Sequence, residues 1–267
     1  RFLKLYSADN WVLNEIPADG RSGRKIEFKP IDVAPFSNEM LLNYGDHVLL
    51  MSATILDAEA FVEMLGIPKD QYVFISMPTP FPVENRPIFY SGMGKMSSKT
   101  IEETLPKMAQ AVKAILEQHK NEKGIIHCHS YRIVNYLKKN IRNKRLLSHN
   151  SDNRDATLKK HRTSKSATVL LSPSMTEGVD LHGDLSRFQI ICKIPYPYLG
   201  DKLIRKKMNK WKWWYPLQTA KTIVQGTGRS VRSLDDTAVT YILDSDWEMF
   251  YNRNRNIFPD SFKESLK

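Results

Sequence analysis

The amino-acid sequence predicts an α/β fold in which a parallel sheet carries helices on both faces. Short apolar segments alternate with amphipathic segments along the chain, as in strand–helix–strand units. Several apolar segments are continuous, as expected for strands that are buried on both faces. Hydrophobic residues make up 41% of the 267 residues, enough for a substantial core.

Strand and helix segments can be placed from the apolar pattern. Predicted strands cover residues 47–51, 72–76, 124–129, 167–172, 188–194 and 238–243. Predicted helices cover residues 58–65, 105–119, 130–139, 155–162 and 217–230. In the helix at 105–119 the apolar residues recur at helical spacing, which places them on one face. Pro106 is tolerated in its first turn, with Thr104 as a candidate N-cap.

Four prolines between Pro78 and Pro87 interrupt regular structure. We therefore expect a boundary there, with one segment at residues 1–85 and a domain at residues 86–267. The run Gly94-Lys95-Met96 lacks both the upstream glycine and the following Ser or Thr of a phosphate-binding loop. Residues 92–100 are accordingly predicted to form a flexible loop.

The charge balance points to a polyanionic partner. Lys and Arg total 40 and Asp and Glu total 29, so the net charge is +11. The two cysteines, Cys128 and Cys192, exclude a disulfide framework and a four-cysteine metal site in this chain. No apolar run approaches the ~20 residues of a membrane span. We expect an intracellular protein, cytoplasmic or nuclear, without a membrane partner, whose chain continues upstream of Arg1.

The most informative segment runs from Gln225 to Arg232. Arg229 and Arg232 are three residues apart near the end of a predicted helix, so both can face one direction. Gly228, directly before the first arginine, allows close approach to a partner. Guanidinium groups suit the charge that spreads over phosphoryl oxygens during phosphoryl transfer. For an isolated pair of arginines, two solvated side chains on a helix surface would be the favoured interpretation.

Three further segments follow predicted strands. Ser52-Ala53-Thr54 follows the strand at 47–51, and the segment Ile126 to Tyr131 leads from the strand at 124–129 into the next helix. Ser174 to Leu181 follows the strand at 167–172. In order along the chain, these segments and the Gln225 segment resemble motifs III, IV, V and VI of superfamily 2 helicases. Three further stretches most resemble the XPD/DinG branch, and the resemblance covers about residues 28–247. These stretches are Leu50 to Ile55 followed by Leu65-Gly66-Ile67, Pro80-Phe81-Pro82 with Asn85-Arg86-Pro87, and Lys193 to Pro197.

The resemblance implies a RecA-like parallel sheet, the second helicase motor domain, and a role for each motif. Arg229 and Arg232 would act on the γ-phosphate across an interdomain cleft, and Gln225 beside them would help to couple the nucleotide state to closure of the cleft. The nucleotide side of the same cleft would include Gly228, Glu177, Gly178 and Asp180. Ser52 and Thr54 would couple the nucleotide site to the nucleic acid; both could also be plain caps. The nucleic-acid contacts would come from Ser130, Tyr131, Arg132 and Thr176.

Other residues leave alternatives open. Lys202, Arg205, Lys206, Lys207, Lys210 and Lys212 are interleaved with Trp211, Trp213 and Trp214. Charge and stacking could combine there on a nucleic acid, although tryptophans that pack against a neighbour are the favoured interpretation. His127, Cys128 and His129 alternate between strand faces, so no metal site is predicted.

The sequence holds no Walker A loop and no acidic box for magnesium. By resemblance, ATP and Mg²⁺ would be bound mainly by a missing N-terminal motor domain, and any iron–sulfur cluster would lie upstream as well. The complete protein would hydrolyse ATP, move along single-stranded DNA and unwind a forked duplex, whereas this fragment would be inactive. A non-catalytic nucleic-acid-binding module and one chain of a two-chain helicase are the alternatives.

Overall fold

The computed structural model describes residues 5–18, 23–150, 152–174, 181–228 and 230–267. The chain divides into two compact units. The first comprises residues 1–76 and 196–218, and the second residues 77–195 and 219–267. The division at residue 85 stays a prediction. In the described part of the chain, no helix is long and apolar enough to cross a membrane.

The second unit is built on a six-stranded parallel sheet of order β3-β8-β7-β4-β6-β5. Its strands are β3 (Ile88–Gly94), β4 (Gly124–His127), β5 (Leu146–Ser148), β6 (Val169–Ser172), β7 (Phe188–Ile191) and β8 (Val239–Asp244). The predicted α/β class and parallel sheet are confirmed. Sequence patterns missed β3 and β5, and β3 reaches into the segment predicted to be a loop.

Both faces of this sheet are buried. Ile126 and Leu171 belong to the larger core cluster, whereas their sequence neighbours Ile125 and Leu170 pack in a second cluster with Leu181. Because neighbouring residues of a strand point to opposite faces, these two clusters lie on opposite sides of the sheet. Continuous apolar runs are therefore the correct signal for these strands.

The helices of the second unit surround the sheet. They are α3 (Ile101–Gln118), α4 (Tyr131–Asn140), α5 (Arg154–Thr163), α8 (Asp246–Asn254) and α9 (Asp260–Ser265). Helix α3 begins at Ile101, so Thr104 is not its N-cap. The Thr104 hydroxyl instead donates to the carbonyls of Lys95 and Thr100.

The first unit contains an antiparallel hairpin of β1 (Trp11–Ile16) and β2 (Lys25–Pro30). It also holds α1 (Ala34–Ser37), α2 (Ala58–Leu65) and α6 (Lys202–Lys210). Helix α7 (Trp214–Thr227) contains the boundary between the two units. Helix α2 matches its prediction: Asp57 accepts from the backbone N–H of Ala60, and Gly66 ends the helix at φ 66°.

Two predicted strands, at residues 47–51 and 72–76, are wrong. Both segments lack regular secondary structure and have no sheet partner among the described residues. Their apolar side chains are open to solvent, with Leu49 80% and Val73 88% exposed. A strand requires a neighbour to pair its backbone groups and to cover its side chains. Both segments are apolar, as buried strands are, but neither joins a sheet among the described residues.

Candidate functional site

The candidate motif residues of the second unit follow the carboxyl ends of its strands. His129 and Ser130 follow β4, Ser174 follows β6, and helix α4 begins directly after Ser130. Parallel strands bring their carboxyl ends to one edge of the sheet, where open α/β folds bind their ligands. This edge is the candidate functional site.

Ser130, Tyr131 and Arg132 form the turn from β4 into α4. Ser130 is the N-cap, and its hydroxyl oxygen accepts from the backbone N–H of Arg132 at 3.2 Å. Tyr131 is 50% exposed, and the Arg132 guanidinium forms an ion pair with Glu102 of α3. An exposed helix N-terminus with hydroxyl groups suits phosphate oxygens. The three predicted residues are therefore brought together, but Arg132 already has an acidic partner.

His129 gives this turn its unusual backbone, because it has a positive φ of 50°. Burial, assisted by the charges of His127 and Lys193, lowers the pKa of His129 to about 3. The imidazole is therefore neutral at physiological pH. No group of His, Cys, Asp or Glu side chains that could hold a metal ion occurs among the described residues.

The arginine segment follows helix α7. The predicted helix reached Ser230, whereas α7 ends at Thr227, before both arginines. The predicted alignment of Arg229 with Arg232 on one helix face stays a prediction. Arg232 lies in an exposed loop in which its backbone N–H donates to Asp236 at 3.2 Å. Arg229 lies outside the described residues.

The start of this segment is well anchored. Gln225 is half-buried in the last turn of α7. The backbone N–H of Gly228 donates to the Val224 carbonyl at 3.1 Å, which extends the helical hydrogen bonding by one residue. Gly228 itself is exposed, as close approach of a ligand would require.

Gln189 is a buried polar residue at this site that sequence patterns missed. It lies in β7 at 1% exposure, and its amide Nε2 donates to the Thr227 carbonyl at 3.1 Å. Its Oε1 lies 3.4 Å from Nε2 of His127 at the end of β4. Gln189 thus links the strand before the Ser130 turn to the helix end before Arg229. The available signal was one amide in an otherwise apolar strand.

The motif V residues Thr176, Glu177, Gly178 and Asp180 lie outside the described residues. The strand end that precedes them is ordered by Ser172. Its hydroxyl lies 2.9 Å from Nε2 of His149, and it accepts from the backbone N–H of Ser174 at 3.3 Å. His149 is itself buried. The exit from β6 is therefore fixed by Ser172 of β6 and by His149, which directly follows β5.

Ser52 and Thr54 belong to the first unit. The Ser52 hydroxyl accepts from the backbone N–H of Thr54 at 3.2 Å, which is a local turn. The alternative of a strand-to-helix cap is not seen, because residues 47–51 form no strand and Asp57 is the N-cap of α2. Their predicted coupling role stays a prediction.

The tryptophans that follow α6 pack against the first unit. Trp211 and Trp214 are buried, and the indole N–H of Trp213 donates to Glu63 at 3.2 Å. The favoured interpretation, in which they are packing residues, is confirmed. Trp211 and Trp214 therefore offer little ring surface to a nucleic acid, whereas Trp213 is half-buried.

Comparison with protein families gives a match to the helicase C-terminal domain over residues 112–265. The probable ATP-dependent helicase MJ0942 of Methanocaldococcus jannaschii is 25% identical over 281 residues, covering 94% of this chain and 42% of that protein. The ATP-dependent DNA helicase YoaA of Escherichia coli is 24% identical over 230 residues, covering 81% of this chain and 36% of that protein. The chain thus spans less than half the length of either relative.

Solved structures show the same fold. A structure of apo XPD has a TM-score of 0.70 at 19% identity and covers 96% of this chain and 54% of that chain. A structure of XPD helicase has a TM-score of 0.66 at 17% identity and covers 100% of this chain and 49% of that chain. The fold of this chain is therefore the fold of these XPD structures.

Proposed function

Because the chain belongs to the helicase C-terminal domain family, we propose that it is the second motor portion of an ATP-dependent DNA helicase of the XPD/DinG kind. The observation that carries this proposal is the family match, which begins within α3 and continues through β8 to α9. The complete protein would couple ATP hydrolysis to movement along single-stranded DNA and to unwinding of a forked duplex.

In this proposal ATP and Mg²⁺ bind mainly to a first motor domain outside this chain. Arg229 and Arg232 act on the γ-phosphate, since planar guanidinium groups stabilise charge on transferring phosphoryl oxygens. Gln225 orients this pair. Gly228, Glu177, Gly178 and Asp180 line the nucleotide side of the cleft. The anchoring of α7 through Gln189 and Thr227 supports a fixed starting point for the arginine segment.

The exposed apolar segments at residues 47–51 and 72–76 support a missing first motor domain. We infer that they join the sheet of that domain, which would pair their backbone groups and cover Leu49 and Val73. Ser52 and Thr54 would then lie at the carboxyl end of a completed strand. In that position they would couple the nucleotide site to the DNA.

Single-stranded DNA would contact the Ser130 turn and Thr176. Hydroxyl groups and backbone N–H groups at a helix N-terminus bind phosphate oxygens without reading bases. Ser130 and Tyr131 supply such groups directly, whereas Arg132 would exchange Glu102 for a phosphate. The net charge of +11 supports a polyanionic ligand.

A strand-displacement assay tests the proposal. The full-length gene product, given ATP, Mg²⁺ and a forked duplex, should release the labelled strand, and the 267-residue chain alone should not. DNA binding without ATP-dependent release, from the full-length product, would favour a non-catalytic binding module. Release that requires a second protein carrying the phosphate loop would favour a two-chain helicase.

A further inference from the structure

Helix α6 carries five basic residues and no acidic residue: Lys202, Arg205, Lys206, Lys207 and Lys210. Two of them take part in packing within the first unit. Lys207 Nζ lies 5.8 Å from the ring centre of Trp214, and Lys210 forms an ion pair of 2.5 Å with Asp32. These two charges are already engaged.

The other three basic residues form an exposed stripe. Lys202, Arg205 and Lys206 are spaced i, i+3 and i+4, so their side chains are neighbours on one helix face. All three are exposed, and within the described ranges none has an ion pair or side-chain hydrogen bond. Like charges at this spacing repel one another, and a row of phosphates relieves that repulsion.

An exposed aromatic ring stands just before this stripe. Tyr198 is 79% exposed, although it lies in an ordered turn in which its carbonyl accepts from the backbone N–H of Asp201 at 3.1 Å. Its ring lies over Gly200, where a Cβ atom would collide with it. The Tyr215 hydroxyl donates to the Pro197 carbonyl at 3.1 Å and fixes the preceding residue. The ring is thus presented to solvent by a fixed turn.

We propose that Tyr198, Lys202, Arg205 and Lys206 form a second binding surface for single-stranded DNA, separate from the Ser130 turn. The three cations bind successive phosphates, and the Tyr198 ring stacks on a base. This inference rests on the proposed function. A single strand fits better than a duplex, because a base must be unstacked before its face can meet the ring. The nearby tryptophans are engaged in packing, so Tyr198 supplies the stacking interaction.

Fluorescence anisotropy of a labelled oligothymidylate tests this surface, with the 267-residue chain titrated over a series of salt concentrations. The variant K202Q/R205Q/K206Q should bind roughly 10- to 100-fold more weakly at 0.1 M salt. The slope of log K against log salt should become shallower by about 2, because each phosphate that is no longer neutralised takes about 0.7 from the slope. The matched control K159Q/K160Q/K165Q removes three exposed lysines elsewhere and should weaken binding much less.

Two tyrosine variants test the stacking interaction. Tyr198→Ala should weaken binding by about 5- to 100-fold, whereas Tyr198→Phe, which keeps the ring, should bind as the wild-type chain does. A duplex of equal length should be insensitive to both changes. Circular dichroism would establish that all variants are folded.

Equally weakened binding in the α6 and control variants, or no binding by the wild-type chain, would overturn this surface. The surface is exposed in this chain and requires no other domain. Strand displacement by the full-length protein is measured separately, so the proposed function can stand when this inference fails.

Discussion

The amide of Gln189 donates to the carbonyl of Thr227 at 3.1 Å, which connects the centre of β7 to the last residue of α7. The same side chain faces His127 on the neighbouring strand. A buried amide that joins two motif-bearing elements fixes where the arginine segment leaves its helix. Its removal would leave the Thr227 carbonyl without this donor, at a cost of about 1–3 kcal/mol.

Gln189→Leu should therefore affect catalysis as well as stability. In the full-length protein we expect DNA-stimulated ATP turnover to fall about 10-fold. A 1 Å displacement of a catalytic group can lower turnover by about 100-fold, but the backbone here is also held at other points, so we expect a smaller loss. Steady-state kinetics should show the decrease in kcat with little change in KM for ATP.

Thr168→Val is a matched control for this variant. It removes the buried hydrogen bond between Thr168 and His161 at 2.9 Å, far along the chain from the arginine segment. It should lower the free energy of unfolding comparably and leave turnover unchanged. Equal turnover in the Gln189 and Thr168 variants would show that Gln189 acts only in packing.

Arg229→Ala and Arg232→Ala should each lower ATP turnover of the full-length protein by roughly 10³-fold, because each removes charge stabilisation from the transferring phosphoryl group. DNA binding should be largely retained, since neither residue is assigned to the DNA. ATP hydrolysis and oligonucleotide binding would be measured on the same preparations. Normal ATP hydrolysis in both variants would rule out their role on the γ-phosphate.

Glu102→Gln should strengthen DNA binding modestly. The ion pair between Arg132 and Glu102 is exposed and contributes at most about 1 kcal/mol, so its removal corresponds to about a 5-fold gain or less. Oligonucleotide titration at low salt would measure the gain, which should disappear when Arg132 is also changed to Gln. A gain of equal size in the Arg132→Gln background would show that Glu102 acts by general repulsion alone.

The stability of the chain should depend on pH through His129. The pKa of His129 is about 3 in the folded chain and about 6.5 in the unfolded chain, so below pH 6.5 only the unfolded chain takes up this proton. This residue therefore lowers the free energy of unfolding by about 1.4 kcal/mol for each pH unit below 6.5. Above pH 6.5 neither the folded nor the unfolded chain takes up this proton, so His129 no longer lowers the free energy of unfolding.

Urea unfolding at pH 7.0 and 5.5 would measure this effect in the wild-type chain and in His129→Gln. The variant should show a smaller difference between the two pH values. Burial also lowers the pKa of His161. This residue therefore changes the free energy of unfolding with pH in the same direction, and it does so equally in the wild-type chain and in the variant. An unchanged pH difference in the variant would contradict the neutral buried state of His129.

The sequence predicted the elements that carry strong local signals. The continuous apolar runs of β4, β6 and β7 and the helical spacing of Met108, Val112 and Ile115 were sufficient, because local pattern and burial agree there. The segments around Leu49 and Val73 carry the same apolar signal but have no sheet to join among the described residues. Local pattern cannot show whether a partner strand exists.

The positions of the candidate residues were predicted in part. Ser130 follows a strand end and Gln225 and Gly228 lie at a helix end, as the sequence indicated, whereas their functional roles stay predictions. The end of α7 at Thr227 was missed, since the residues that follow it are compatible with helix. Gln189 and Tyr198 were missed because a single buried amide and a single exposed ring have no periodic signal. Their roles depend on neighbours that only the tertiary structure provides.

The central claim is that this chain is one half of an ATP-driven motor whose arginine segment serves a nucleotide site on another domain. DNA-stimulated ATP hydrolysis, compared between this chain and the full-length gene product, tests it most directly. We expect no hydrolysis by the chain alone, and hydrolysis by the full-length protein that rises with single-stranded DNA and falls roughly 10³-fold in Arg229→Ala. Hydrolysis by the isolated chain, or none by the full-length protein with DNA, would contradict it.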